Sequence, residues 1–268
     1  MQTFSTLLES VQFLLEIKEL ENASVLAMGL EVIAETVHEK KLAYSLCGQV
    51  NYQLGAEYLE NTMIYARDAL KFGIDRTEFG LFSRLSWKDS HILRQAATGE
   101  YQAPYLQLKW HMQRIDEEAC EAEDCFSAAE SMLEKAMEYG IDDMLRQNNL
   151  QVHADHARLL FYQGDLDGAI EKNRIAERMI DDASDSEPIE GYQRCLVENV
   201  LLLGGRIRQL RYEKSAVSYF DEARIYAQRF GFSDLEKEAE AYAERYFQDR
   251  AALLGQKYPQ GNSRPAIF

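Results

Sequence analysis

One helix-ending phrase occurs three times in this chain, and it constrains the fold more than any other feature. The copies are Ala-Leu-Lys-Phe-Gly73, Ala-Met-Glu-Tyr-Gly140 and Ala-Gln-Arg-Phe-Gly231, each followed by an apolar residue and then Asp or Ser. Gly is favoured just past a helix because it adopts a positive φ, and Asp or Ser then caps the next helix. A weaker fourth copy has Ile180 in place of Gly. A recurring helix-to-helix corner predicts stacked helical hairpins, with positive φ at the three glycines.

The composition favours a soluble acidic protein and disfavours two classes of partner. The net charge of −16 repels phosphate backbones, so we expect no nucleic-acid partner. No stretch approaches the roughly 18–20 apolar residues of a membrane span, so we expect no membrane partner. The chain opens without a basic leader, and its four cysteines form no C-x-x-C pair. These features predict a cytoplasmic protein with reduced thiols.

Apolar residues recur at helical spacing along the whole chain, with no strand-like alternation, which predicts an all-α fold. The first helix is expected at Thr3–Leu20, the second from Asn22 to Lys40, and a hairpin then turns about Gly55. The segment Tyr105–Tyr139 lacks Gly and Pro. The segment could form one helix of about 50 Å, but two helices are favoured, broken near 116–124 where an acidic run interrupts the apolar stripe.

The remaining helices complete a single repeat domain over residues 1–255, followed by a mobile tail at 256–268. Only 4 of 268 residues are Pro, which suits long helices. The helices are expected at 77–97 (one helix or a pair), 142–162, 166–180, 190–210, 213–230 and 234–254, the last as a capping helix, with a polar loop at 181–188.

Two segments match the spacing of a known helical repeat. The first carries Ala157, Leu160, Gly164, Leu166, Ala169, Asn173 and Ala176, and the second carries Leu203, Gly204, Ile207, Ala216, Phe220 and Ala223. This pattern resembles the tetratricopeptide repeat, most clearly over 150–182 and 197–231. The resemblance implies a right-handed superhelix of stacked antiparallel hairpins with terminal capping helices. It also implies a non-catalytic scaffold that binds a peptide or protein in a concave groove, as in bacterial regulators.

Matching the groove positions of that family gives a candidate binding set. Arg is suited to a carboxylate because its planar fork bonds it bidentately, so the expected partner is a peptide or protein that bears carboxylates. Replacing Arg208 by Ala is expected to weaken binding while the melting temperature hardly changes. The set is Gln151, Arg158, Phe161, Glu198, Leu201 and Arg208.

Other readings have less support in the residues. His153 and His156 share a helix face and could hold zinc, but a third ligand is missing, so we expect no metal and no cofactor. Phosphate loops and nucleophile motifs are absent, which leaves a helical-bundle enzyme as the weakest candidate. The main alternative is a structural protein that self-assembles, as a homodimer, through a terminal helix. The broad apolar stripe of the first helix, which includes Phe13, favours that alternative.

Overall fold

The computed structural model describes residues 3–72, 78–83, 102–181 and 190–253. Every regular element in these ranges is helical, which confirms the all-α prediction. The chain divides into two compact units, Met1–Ser186 and Glu187–Phe268. A single domain over 1–255 and a superhelical stacking of the hairpins remain predictions. No helix in the described ranges has the length and apolar character that a membrane crossing requires.

The first unit begins with a short helical hairpin, α1 (Phe4–Glu16) and α2 (Leu20–Ile33). The prediction of one helix as far as Leu20 is wrong, because Lys18 takes a positive φ of 60° between the two helices. That left-handed residue reverses the chain where the sequence pattern alone continues the helix. The buried faces of α1 and α2 meet in one apolar core with the start of the next helix.

The next helix, α3 (Val37–Leu70), is a single helix of 34 residues. The predicted second helix to Lys40 is therefore too long, because a capping box at Thr36 starts α3 instead. The Thr36 hydroxyl accepts a hydrogen bond from Glu39 N at 3.1 Å, and the Glu39 carboxylate accepts one from Thr36 N at 2.9 Å. The predicted hairpin about Gly55 is also wrong, since Gly55 lies inside α3 and is buried.

Helix α4 (Gln102–Glu138) runs unbroken for 37 residues, so the predicted break near 116–124 is wrong. From residue 115 to residue 136 its buried apolar positions recur at alternating intervals of four and three, the spacing of a helix that packs continuously against a neighbour. Small alanines carry this stripe through the acidic run, whose carboxylates occupy the positions between. The apolar positions of this stripe are Ile115, Ala119, Ala122, Phe126, Ala129, Leu133 and Ala136, and Leu108 and Glu130 of α4 are buried as well.

Helices α3 and α4 pack antiparallel at close range, because glycines of α3 receive large side chains of α4. A Cβ built on Gly48 would lie 2.6 Å from Leu133 Cγ, and one built on Gly55 would lie 2.9 Å from the Phe126 ring. A step of seven residues forward along α3 therefore corresponds to seven residues backward along α4. Gly55 allows this close approach and does not form a turn.

A second hairpin of the first unit consists of α5 (Asp143–Gln163) and α6 (Leu166–Asp181), which confirms both predicted helices. Asp142 caps α5, its Oδ1 accepting from Leu145 N at 2.8 Å. Gly164 joins the two helices with a φ of 87°. Ile180 lies inside α6, so the fourth copy of the corner phrase forms no corner there.

Only a short part of the helix predicted at 77–97 is described. Residues 78–83 form turns rather than helix and pair with the end of α5. Gly80 N donates to Phe161 O at 3.1 Å, and Phe82 N donates to Tyr162 O at 2.7 Å. The polar loop predicted after Asp181 and the tail at 256–268 lie outside the described residues.

The second unit contains α7 (Glu190–Cys195), a π-helix over Leu196–Leu202, α8 (Leu203–Leu210), α9 (Ala216–Phe230) and α10 (Ser233–Leu253). The predicted helix at 190–210 thus has a seven-residue π segment inside it. The predicted helix from 213 begins at Ala216 instead, and the helix predicted at 234–254 is confirmed. Gly205 of α8 lies against α9, where an added Cβ would be 2.5 Å from the Phe220 ring.

The corner glycines behave as the repeated phrase predicts wherever they are described. Gly140 has a φ of 125° and lies two residues after the end of α4, and Gly231 has a φ of 77° and directly follows α9, while Gly73 lies outside the described residues. At the Gly231 corner, Phe232 N donates to Ala227 O at 2.8 Å. That bond closes the six-residue loop of a Schellman cap.

The close approach at Gly55 yields a test of the α3–α4 packing. We expect Gly55→Ala to lower the free energy of unfolding by about 1–3 kcal/mol, the usual cost of overpacking. Helix propensity alone would stabilise the variant by about 1 kcal/mol, so the sign distinguishes the two effects. Urea unfolding followed by circular dichroism measures the change. Gly29→Ala is the matched control, because its Cβ meets only the flexible end of Leu7, at 3.2 Å. A Gly55→Ala variant as stable as the parent would contradict the packing.

Candidate functional site

Three of the six predicted groove residues lie on α5 in the first unit. Gln151 and Arg158 are half-buried, and Phe161 is fully buried. The Arg158 guanidinium lies 5.7 Å from the centre of the Tyr162 ring, and its Nε donates to Tyr162 Oη at 3.4 Å. Phe161 packs edge-on against Phe79 at 5.4 Å. Phe161 therefore serves the core and presents no surface to a ligand.

The other three predicted residues lie in the second unit. Glu198 is half-buried and pairs with Arg194, with Nε and Oε2 at 3.4 Å. Leu201 is buried in the π-helix, and Arg208 is only 5% exposed. The Arg208 guanidinium stacks on the Tyr219 ring at 3.9 Å and donates to Gly204 O at 3.1 Å. Partner binding by the six residues remains a prediction, and three of them are buried.

The most concentrated polar chemistry of the first unit surrounds one carboxylate of α4, that of Glu130. Its Oε1 lies 2.8 Å from His156 Nδ1 and 3.0 Å from His153 Nδ1, the latter poorly directed for a hydrogen bond. Its Oε2 contacts the Lys172 ammonium of α6. Glu130 and both imidazoles are more than nine-tenths buried. The Glu130 cluster, Glu130 with His153, His156 and Lys172, thus joins α4, α5 and α6.

Electrostatics at Glu130 favour its charged form. Burial raises the pKa of the Glu130 carboxyl, but the contacts from His153, His156 and Lys172 outweigh it and hold that pKa well below its usual range. A second polar link lies nearby on α5, where Asp155 accepts a hydrogen bond from Tyr52 of α3 at 2.8 Å. The arrangement explains the two histidines as partners of a buried carboxylate.

Within the described ranges, no group of three or more His, Cys, Asp or Glu side chains has a geometry that could hold a metal ion. Both Nδ1 atoms of the histidine pair face Glu130, whose other oxygen is taken by an ammonium. Absence of metal in the working protein remains a prediction from the missing third ligand.

An open cleft of about 320 Å³ lies beside the middle of α4. Two carboxylates give it an acidic lining, and one of them, Glu123, already accepts a hydrogen bond from Gln163 at 3.1 Å. The lining residues are Phe82, Ser83, Asp116, Ala119, Cys120, Glu123 and Gln163.

The most unusual surface of the first unit is apolar. Val25, Met28 and Val32 are 64%, 57% and 84% exposed, and their spacing of three and four places them on one side of α2. We call these three residues the outer stripe of α2. Fourteen large apolar side chains are exposed among the described residues, and six of them fall within residues 13–37: Phe13, Ile17, Val25, Met28, Val32 and Val37.

Sequence reasoning identified Phe13 but missed the outer stripe and Glu130. Helix α2 has apolar residues on every side, so its periodicity does not show which side packs and which faces solvent. Glu130 has a weak signal, since it directly follows Ala129 of the buried α4 stripe and precedes Leu133. A carboxylate next to this buried stripe indicates that an oppositely charged or hydrogen-bonding partner is buried with it. The sequence does not identify that partner, because it depends on how α5 packs.

Comparison with known proteins adds no identification: no family model matches the chain, and neither a curated protein nor a solved structure is significantly similar to it. The resemblance to the tetratricopeptide repeat therefore remains a prediction from the sequence.

The Glu130 cluster gives a pH-dependent prediction. A carboxyl whose pKa is lowered by folding stabilises the fold above its unfolded pKa of about 4.3, and loses that contribution as the pH falls. We expect Glu130→Gln to cost about 3 kcal/mol at pH 7, because it leaves two buried imidazoles and the Lys172 ammonium without their carboxylate. The difference from the parent should shrink below pH 4.3.

Urea unfolding of parent and variant at several pH values measures this difference. Glu134→Gln, an exposed site one turn further along α4, is the matched control and should change little. A Glu130→Gln difference that is equal at pH 7 and pH 3, as set in the buffer, would contradict the cluster as the source of stability.

The sequence alone leads to the expectation that Arg208→Ala hardly changes the melting temperature. Because Arg208 is buried, we now expect this substitution to lower stability. We expect Arg208→Ala to destabilise the second unit by about 2 kcal/mol, because it removes a stacked cation and a charged hydrogen bond. Hydrogen exchange of the α8 and α9 amides, which reports on this unit alone, should accelerate. Arg211→Ala is the control, since its exposed pair with Glu213 contributes little. Unchanged exchange in Arg208→Ala would show that the guanidinium carries no structural role.

Proposed function

We propose that the protein is a non-catalytic binding module that holds a segment of a partner protein against the outer stripe of α2. The observation that carries this proposal is the clustering of exposed apolar side chains on the first hairpin. A cluster of exposed apolar side chains is a common mark of a protein–protein interaction site. The resemblance to tetratricopeptide repeats supports the same class of function, since that family binds peptides and proteins.

The choice of surface differs from the concave groove expected from the sequence. That groove would use Phe161, Leu201 and Arg208, whose side chains are buried. The carboxylate-bearing partner was expected because of Arg158 and Arg208, and both guanidinium groups lie against tyrosine rings. The outer stripe needs no rearrangement to make contact, and it is therefore the surface that the geometry favours.

Self-assembly is the second candidate, because the same stripe could meet its copy on another molecule. Phe13 of α1 and Ile17, which directly follows α1, are also exposed and would extend such an interface. Like charges weigh against it, since each copy carries a net charge of −16.

We also propose that the protein is cytoplasmic. All four cysteines are free thiols, and burial raises the pKa of the Cys47 and Cys125 thiols to about 11. Thiols in this state suit a reducing compartment.

A photo-crosslinking amino acid placed at position 28 of the full chain tests the surface in the cells that make the protein. We expect an adduct of defined mass at position 28 and none at position 171, an exposed site on α6. Val25→Gln with Val32→Gln should remove the adduct, because the apolar contact is lost. The fold should be unaffected, since both side chains face solvent and Gln is a good helix former.

Two results would contradict the proposal. One is an absence of adduct at position 28, and the other is an adduct that persists in the double variant. The mass of the adduct separates the two candidates, because a second copy of this chain would double the mass to about 62 kDa from 30.9 kDa.

A further inference from the structure

We propose that the segment bound by the outer stripe is a basic amphipathic helix, with an apolar stripe flanked by Lys or Arg. This inference rests on the proposed function and specifies the chemistry of the partner. It is carried by the helical spacing of the exposed side chains together with the charge of the hairpin that presents them.

The spacing of the stripe matches a helical partner. Val25, Met28 and Val32 cover two turns of α2, or about 10 Å at a rise of about 1.5 Å per residue. A row of this kind packs into the groove between the rows of a second helix whose apolar residues recur at three and four. Met28 lies at the centre, where its unbranched and flexible side chain adapts to different apolar neighbours.

The charge around the stripe is of one sign. Residues 3–36 contain six glutamates and one lysine, a net charge of −5 (1 minus 6), and α2 itself has no basic residue. Glu21 lies on the same side of α2 as the stripe, one turn before Val25, and it is exposed. Glu16 and Glu19 are also exposed, at the turn that leads into α2.

This charge selects among the possible occupants. A second copy of the chain would bring the same carboxylates to the interface, and an anionic lipid surface or a nucleic acid would bring phosphates. A helix with Lys or Arg beside its apolar residues has the opposite charge. One such cation, placed a turn beyond the apolar residues, would meet Glu21.

Two designed peptides of about 18 residues, or about five helical turns, test the inference with the full-length protein. Both have the same apolar stripe, and their polar positions carry Lys in one and Glu in the other. Fluorescence anisotropy of the labelled peptides measures their dissociation constants. We expect the basic peptide to bind at least about tenfold more tightly at low salt, and the advantage to shrink at about 0.5 M salt.

Charge reversals in the protein separate local recognition from the general field of an acidic molecule. Glu21→Lys should weaken the basic peptide by about threefold to fivefold, the range of one exposed ion pair. Glu171→Lys changes the net charge equally at a distant exposed site on α6, and it should have a smaller effect. Equal effects of the two variants would overturn the inference, because the binding would then follow net charge alone.

The remaining outcomes distinguish the inference from the proposed function. The triple variant Val25→Gln/Met28→Gln/Val32→Gln should abolish binding of the basic peptide, and binding that survives it would overturn the inference. Equal binding of both peptides, lost in the triple variant, would retain the surface and reject the basic partner. Failure of both peptides to bind would reject the helical partner, whereas the adduct at position 28 tests the surface itself. A stripe-dependent dimer, seen by sedimentation, would assign the surface to a second copy.

Discussion

The first unit depends on the close approach of α3 and α4, and that approach depends on two missing side chains. Gly48 and Gly55 lie seven residues apart on α3 and receive Leu133 and Phe126 of α4. A Cβ at either position would meet those side chains at less than 3 Å, so no other residue permits the same interaxial distance. The two helices are 34 and 37 residues long, and this pairing keeps them in register along their length. The α1–α2 hairpin packs against α3, and the α5–α6 hairpin packs against α4.

The Glu130 cluster fixes how α5 and α6 join that pair. Burial of a charged carboxylate destabilises the fold unless the carboxylate is paired. Glu130 therefore contributes to stability only through its contacts with specific partners. Two imidazoles of α5 and an ammonium of α6 converge on one carboxyl of α4. A shift of any of these helices by one residue would separate a buried charge from its partner. The cluster therefore favours a single arrangement of three helices, as buried polar groups do in some helical assemblies.

The sequence correctly predicts features that depend on one residue and its neighbours. It does not predict features that depend on which helices pack together. Gly140 and Gly231 were predicted correctly because the corner depends on the φ of one residue. The turn predicted at Gly55 is wrong because a glycine that admits Phe126 looks the same in sequence as one that reverses the chain. The break predicted at the acidic run of α4 is wrong because Ala119 and Ala122 are too small to show in sequence as an apolar stripe. His153 and His156 were identified as a pair, but their carboxylate is contributed by another helix.

The sequence also does not reveal the outer stripe, because its exposure depends on how α2 packs. This stripe connects the fold to the proposed function. Helix α2 needs one apolar side to pack on α1 and α3, and its buried positions Ala23, Ala27 and Leu30 supply that side. Nothing in this packing requires Val25, Met28 or Val32 on the opposite side, where Lys or Glu would serve a solvent-exposed helix equally well. Apolar residues in that position are unfavourable for the isolated molecule, because water surrounds them. A partner that covers the stripe turns this unfavourable exposure into binding free energy.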